Sequence, residues 1–170
     1  MACVGCCSNT ARNPAQRYPS DTGEGIEWGV LVTIYSTPKP AVKTCISILA
    51  DAFGVYALVS ARMPKQRPIR FVKVTRIGGS QDDAITDVAR LLVECFGPDV
   101  ETVESMTATA RTALRNAIST VVDNVWVRNW SNEQGPVDFP HPEILDMERW
   151  QFQGSLSLST ATPLAVPPGS

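Results

Sequence analysis

The sequence predicts a mainly α fold: an elongated antiparallel four-helix bundle with a small β-sheet at one end and extended N- and C-terminal tails. Three observations predict it. Of the 13 prolines among 170 residues, four fall in residues 1–40 and six in 136–170, leaving the middle almost free of breakers. From Ser80 to Gln134 the only interruption is Gly97-Pro98, which reads as one turn between two long helices. Within both stretches apolar residues recur at spacings of three and four. Apolar residues make up 44% of the chain and charged residues 19%, enough to bury a core.

The elements follow in order. Residues 1–27 are rich in Ser, Asn, Gly, Pro and Cys and read as an N-terminal extension. Residues 28–154 form the expected helical-bundle domain, and the uncharged, Ser/Thr/Pro-rich residues 155–170 the expected flexible C-terminal tail. Val30 to Tyr35 is a strand candidate. Pro38 to Phe53 reads as a helix with Val42, Cys45, Ile46, Leu49 and Phe53 on one face, Thr37 as its cap and Gly54 as its stop. Val55 to Met63 reads as a shorter helix, ended by Pro64. Ile69 to Ile77 is β-branched and extended. Ser80 to Phe96 reads as the third helix, with Ile85, Val88, Ala89, Leu92, Cys95 and Phe96 as its stripe. Val103 to Arg128 reads as the fourth, with Met106, Ala110, Ala113, Leu114, Ala117, Ile118, Val121 and Val125 as its stripe. A weaker strand surrounds Trp150, Phe152, Leu156 and Leu158.

The chain carries 15 basic and 17 acidic residues, a formal net charge of −2. Nucleic-acid binding by bulk positive charge is therefore excluded, and any such contact must use placed Arg and Lys. No apolar run reaches the roughly 18 residues that a spanning helix requires, so no membrane partner is expected. Cys45 and Cys95 sit in apolar segments as small hydrophobes, and the odd count of five fits a reducing compartment. Cys3, Cys6 and Cys7 lack a second ligand pair at zinc spacing. The single histidine, His141, lies between two prolines and reads as a loop residue. No nucleophile elbow, phosphate loop or dinucleotide fingerprint occurs, so the chain is not expected to be an enzyme and no cofactor is expected.

Two charge features stand out. Arg62, Lys65, Arg67, Arg70, Lys73 and Arg76 place six cations in fifteen residues with no acid among them. Arg111 and Arg115, one helical turn apart and flanked by Thr112, Asn116 and Ser119, could touch phosphate, ribose and base together. Asp99, Glu101 and Glu104 crowd the expected inter-helix turn. In a stacked assembly these carboxylates would repel, forming a pH-sensitive switch that a divalent cation could relieve. The N-terminal Met1-Ala-Cys-Val-Gly-Cys-Cys supports an alternative reading, an acylated membrane-peripheral helical adaptor.

Gly29-Val-Leu-Val-Thr-Ile-Tyr-Ser36 leads into Thr37-Pro38, with Cys45 seven residues after the proline. Arg70-Phe71, Ile85 to Phe96, and Ala113-Leu-Arg-Asn-Ala-Ile118 follow in order. In this succession the chain resembles the coat proteins of rod-shaped plant RNA viruses of the tobacco mosaic virus type. The resemblance implies a four-helix subunit that encapsidates single-stranded RNA in a helical rod. It implies a self-associating virion protein made in the host cytoplasm, with no enzymatic activity. It carries RNA contacts over to Arg115, Asn116 and Thr120. The physical reading adds Arg62 and Arg111.

Overall fold

The structure, a computed structural model, describes residues 39–160, all within the unit Ile34–Ser170. It corrects the predicted fold class. The described residues form two helices and six strands: α1 (Ala41–Phe53), β1 (Leu58–Ser60), β2 (Phe71–Asp83), β3 (Thr86–Gly97), α2 (Val100–Asn116), β4 (Thr120–Val122), β5 (Val125–Asp138) and β6 (Glu148–Ser159). The strands make one sheet in the order β1-β2-β3-β6-β5-β4. Only β1 and β2 pair in parallel; every other neighbour is antiparallel. Among the described residues there is no four-helix bundle, and the sheet is the body of the fold rather than an accessory at one end.

α1 forms where its spacing predicts. Ala41, Thr44, Cys45, Ile48, Leu49 and Phe53 line its buried face, and Gly54 closes it at φ 53°. The cap expected at Thr37, and the strand expected at Val30 to Tyr35, lie outside the described residues. β2 contains most of the predicted Ile69–Ile77 strand and extends it to Asp83. β6 takes in Trp150, Phe152, Leu156 and Leu158 and runs to Ser159, so the expected tail at 155–170 begins as the final part of a strand. The Thr160 N–H then donates to the Ile85 carbonyl at 2.8 Å.

Two predicted helices give strands instead, and a third ends early. Val55 to Met63 yields only the three-residue β1. Ser80 to Phe96 becomes the end of β2, a hairpin turn and β3. Asp83 fixes that turn by accepting from the Ile85 N–H at 2.8 Å and the Thr86 hydroxyl at 3.0 Å. From Val93 onward β3 is buried on both faces, so its apolar residues run together rather than alternate. A doubly buried strand of this kind mimics helical spacing. The predicted Val103–Arg128 helix is right over α2 and ends at Asn116. Asp123 and Asn124 then adopt φ 50° and 60°, and Val122 pairs with Val125 across them. That two-residue hairpin turn requires positive φ at both positions, which Asp and Asn tolerate. Gly97-Pro98 does mark a turn, but it joins a strand to a helix.

Both helices pack on one face of the sheet. Cys45 and Leu49 of α1 and Val103, Met106, Ala110 and Leu114 of α2 meet Val72, Val74, Leu91, Val93, Cys95, Phe152, Leu156 and Leu158. Each such large apolar side chain contributes roughly 1.5–3 kcal/mol on burial. Burial also pushes the Cys45 and Cys95 thiols up to about 12. On the opposite face, Phe71, Phe96 and Ile144 make a second, small core with Met63 and Met147. Among the described residues no helix covers this face.

Gly154 in β6 permits a close approach on the helix-covered face. A Cβ there would lie 2.3 Å from the Trp130 ring, which stacks edge-on to Phe152 at 6.4 Å. Gly154→Ala must therefore displace the indole. The expected cost is about 1–3 kcal/mol, with no change of topology. Urea unfolding followed by tryptophan emission measures it; an unaltered midpoint contradicts this packing.

Candidate functional site

The functional surface is built from the helix-free face and the two sides of the sheet. Register places Lys73 beside Glu94, and Glu94 beside Gln151 with Arg149 two residues before it on β6. Glu94 is only 3% exposed and receives both cations: Lys73 Nζ and Arg149 Nη2 each approach a separate carboxylate oxygen at 2.8 Å. The Arg149 guanidinium also lies 5.2 Å from the centre of the Phe139 ring and 5.9 Å from that of Phe96. A buried carboxylate persists only with such compensation. Next to this cluster a groove of about 410 Å³ opens over Leu92, Gln151 and Gln153. Ile77 of β2 and Val137 of β5 both line it, so the sheet curls toward this face. Gln153 donates to Gln134 at 2.5 Å across its floor.

The predicted RNA-contact residues do not form one site. Arg111 and Arg115 do project from one face of α2, but both turn to Glu133 of β5. Arg111 Nε donates to Glu133 Oε1 in a very short contact, and Arg115 Nη2 donates to the same oxygen at 2.9 Å. Trp130 Nε1 donates to Glu133 Oε2 at 2.9 Å. Burial alone would raise the Glu133 pKa. The bonds from Trp130 and Arg111, the Arg111 charge and the bond from Arg115 outweigh it, and the pKa is lowered. The two arginines thus tie α2 to the sheet.

Asn116 and Thr120 line a separate groove of about 550 Å³ between α1, α2 and β4, together with Asp51 and Asp123. Ser47 donates to Asp123 there at 2.6 Å. Two carboxylates make this groove unsuited to phosphate. Arg62 lies exposed in the loop after β1, and its backbone N–H donates to Ser60 Oγ at 3.2 Å. Of the remaining basic run, Arg67 pairs with Asp146, Lys73 with Glu94 and Arg76 with Asp87, while Arg70 stacks on Tyr56.

The acidic trio has a local explanation. Asp99 is the N-cap of α2, accepting from the Thr102 N–H at 2.8 Å and the Thr102 hydroxyl at 2.9 Å. Those two bonds, the backbone one first, lower its pKa. Glu101 sits exposed in the first turn, where the helix dipole favours a carboxylate, and Glu104 follows it, also exposed. Among the described residues no group of three or more His, Cys, Asp or Glu side chains converges as a metal site. His141 is a loop residue, its ring 6.2 Å from that of Phe96.

No family model matches this chain. No curated protein matches it either. Among solved structures, the virion of a native gene transfer agent particle is similar over 66% of this chain and 85% of that chain, at 14% identity and a TM-score of 0.48. That likeness is too slight to carry fold or function across.

Sequence reasoning missed Glu133, Glu94 and Arg149, the three side chains that organise these contacts. Glu133 was reachable in principle, because Asp123-Asn124 between Val121-Val122 and Val125-Trp-Val127 is a hairpin signal.

Two expectations follow. Glu94→Ala leaves two cations, one of them buried, without their carboxylate and should cost about 3–5 kcal/mol, measured by chemical denaturation. Glu133 has a folded pKa below its ordinary value. Its stabilising contribution is therefore fully present above the ordinary carboxylate range and is lost as pH falls through the lowered pKa. Thermal melts of the parent and Glu133→Gln between pH 7 and pH 3 should converge at the acid end. Parallel curves would show that Glu133 contributes nothing to acid sensitivity.

Proposed function

We propose that this chain is a structural subunit that assembles with copies of itself into a particle of the virion type, with a β-sheet as its building element. The observation that carries this reading is that the sheet is open along both of its long sides. β1 covers β2 only over Phe71 to Lys73, and β4 covers β5 only over Val125 to Val127. Among the described residues the rest of each strand has a sheet neighbour on one side alone. Exposed edge backbone is a template for another chain, and proteins that remain monomeric cover or blunt it. The side chains that do converge, at Glu94 and Glu133, brace the scaffold, as a subunit under assembly load requires.

Encapsidation of RNA is a narrower reading and has less support. Arg111 and Arg115 share one carboxylate, Glu133, which offsets only one of their two charges, and Asn116 and Thr120 face carboxylates. Lys39, Lys43, Arg62, Lys65, Arg70, Arg90 and Arg128 make no ion pair among the described residues, and of these only Arg70 is stacked on a ring.

Sedimentation velocity and electron microscopy of the purified full chain test the proposal. Assemblies larger than the monomer, growing with concentration over roughly 1–100 µM, are expected. A monomer across that range from pH 5 to 8 would overturn it. RNA added to the same samples should leave assembly size unchanged if the particle forms without nucleic acid.

A further inference from the structure

We infer that the copies join head to tail by sheet continuation, the β2 edge Thr75–Ser80 of one copy lying antiparallel beside the β5 edge Asn129–Gln134 of the next. The inference rests on the self-assembly reading and specifies its interface.

Register carries it. Following the rows across the sheet, Ser80 pairs with Val88, Val88 with Ser157, and Ser157 with Asn129. At the other end Thr75 pairs with Leu92, Leu92 with Gln153, and Gln153 with Gln134. The two open edges therefore occupy the same rows on opposite sides of one sheet. β1 blocks the rows at one end of β2, and β4 those at the opposite end of β5. The rows open on both sides run from Thr75 to Ser80 on β2 and from Gln134 to Asn129 on β5; past them β4 covers Val127 in the row of Gln81, and β1 covers Lys73 in the row of Val137. Pro136 marks the limit of the β5 edge, since it has no N–H to offer.

Polarity agrees. β2 runs antiparallel to β3, β3 to β6 and β6 to β5, so β2 and β5 run in opposite directions. A neighbour translated sideways thus presents β5 antiparallel to β2, and the alternation continues unbroken. A two-fold contact through β2 alone would leave both β5 edges of the pair uncovered. The head-to-tail contact covers both edges in every interior copy.

Charge agrees as well. The exposed Arg128 sits between the rows of Ser80 and Gln81, one step from Asp82 of the adjoining copy. Neither Arg128 nor Asp82 makes an ion pair among the described residues. Arg128 also lowers the pKa of Asp83 within its own chain, though less than the Ile85 N–H and the Thr86 hydroxyl do.

Charge reversal in the full-length chain tests the pairing, read by sedimentation velocity with far-ultraviolet circular dichroism as a control for folding. Asp82→Arg and Arg128→Asp should each raise the concentration needed for assembly by about tenfold or more. The double variant should return to the parent value. An equimolar mixture of the two single variants should also assemble, because each supplies the charge the other lacks; an effect confined within one chain gives no such rescue. Single variants that assemble like the parent, or a mixture and a double variant that both stay dissociated, overturn the edge assignment and leave self-assembly standing. A parent chain that never assembles overturns both.

Discussion

The ladder between β3 and β6 is the constraint on which the structure depends. It runs through twelve consecutive rows, from Thr86 opposite Ser159 to Gly97 opposite Glu148, with no register shift. The flanking pairs, β2 with β3 and β5 with β6, both contain bulges. The central pair is therefore the straight rail, and the irregularities lie outside it. A slip of one residue would turn Leu91, Val93, Phe152 and Leu156 away from the helices and bring Leu92, Glu94 and Gln151 beneath them. The side chains on this ladder allow only one register.

The charges are organised around that rail. Glu94 stands on β3 and draws in Arg149 from β6 and Lys73 from β2, so three adjacent strands share one buried ion cluster on the helix-free face. On the other face Glu133 draws in Trp130 from its own strand and two arginines from α2. Each cluster has one carboxylate and more than one donor cation. Both use arginine, whose planar fork satisfies several acceptors at once. The effect is to fix layers to one another where apolar packing alone would let them slide.

The sequence showed α1, the inner half of β2, β6 and the turn at Gly97-Pro98, because each has a local cause that requires no partner. Gly54 ends α1, β-branched residues fill Phe71 to Thr75, and Pro98 cannot continue an element. β3 was not legible. Its residues are buried by elements on both faces, and that coverage is a property of the whole fold. The same limit hid the site. Arg111 and Arg115 were rightly placed one turn apart on a helix, but their partner lies 22 and 18 residues on. A helix continued to Arg128 leaves no route by which Glu133 could return to them. Once Asp123-Asn124 is read as a hairpin, β5 folds back along the sheet and the pairing becomes possible. Asp99 shows the converse: a carboxylate cluster that suggested repulsion between subunits includes an ordinary helix cap.

The two thiols of the helix-covered layer have a consequence of their own. Cys45 on α1 and Cys95 on β3 are both fully enclosed, with thiol pKa values near 12. At neutral pH neither presents a thiolate to an alkylating reagent while the layer stays closed. Their modification can proceed only as fast as α1 lifts from the sheet or β3 is uncovered. The rate of labelling is therefore a clock for local opening, with one hand on the helix and one on the central strand. If the two residues react at the same rate, helix and sheet open as a single unit. If Cys45 reacts first, α1 is the looser piece, tied to the sheet side by the Ser47–Asp123 hydrogen bond, whereas α2 has the Glu133 ion pairs.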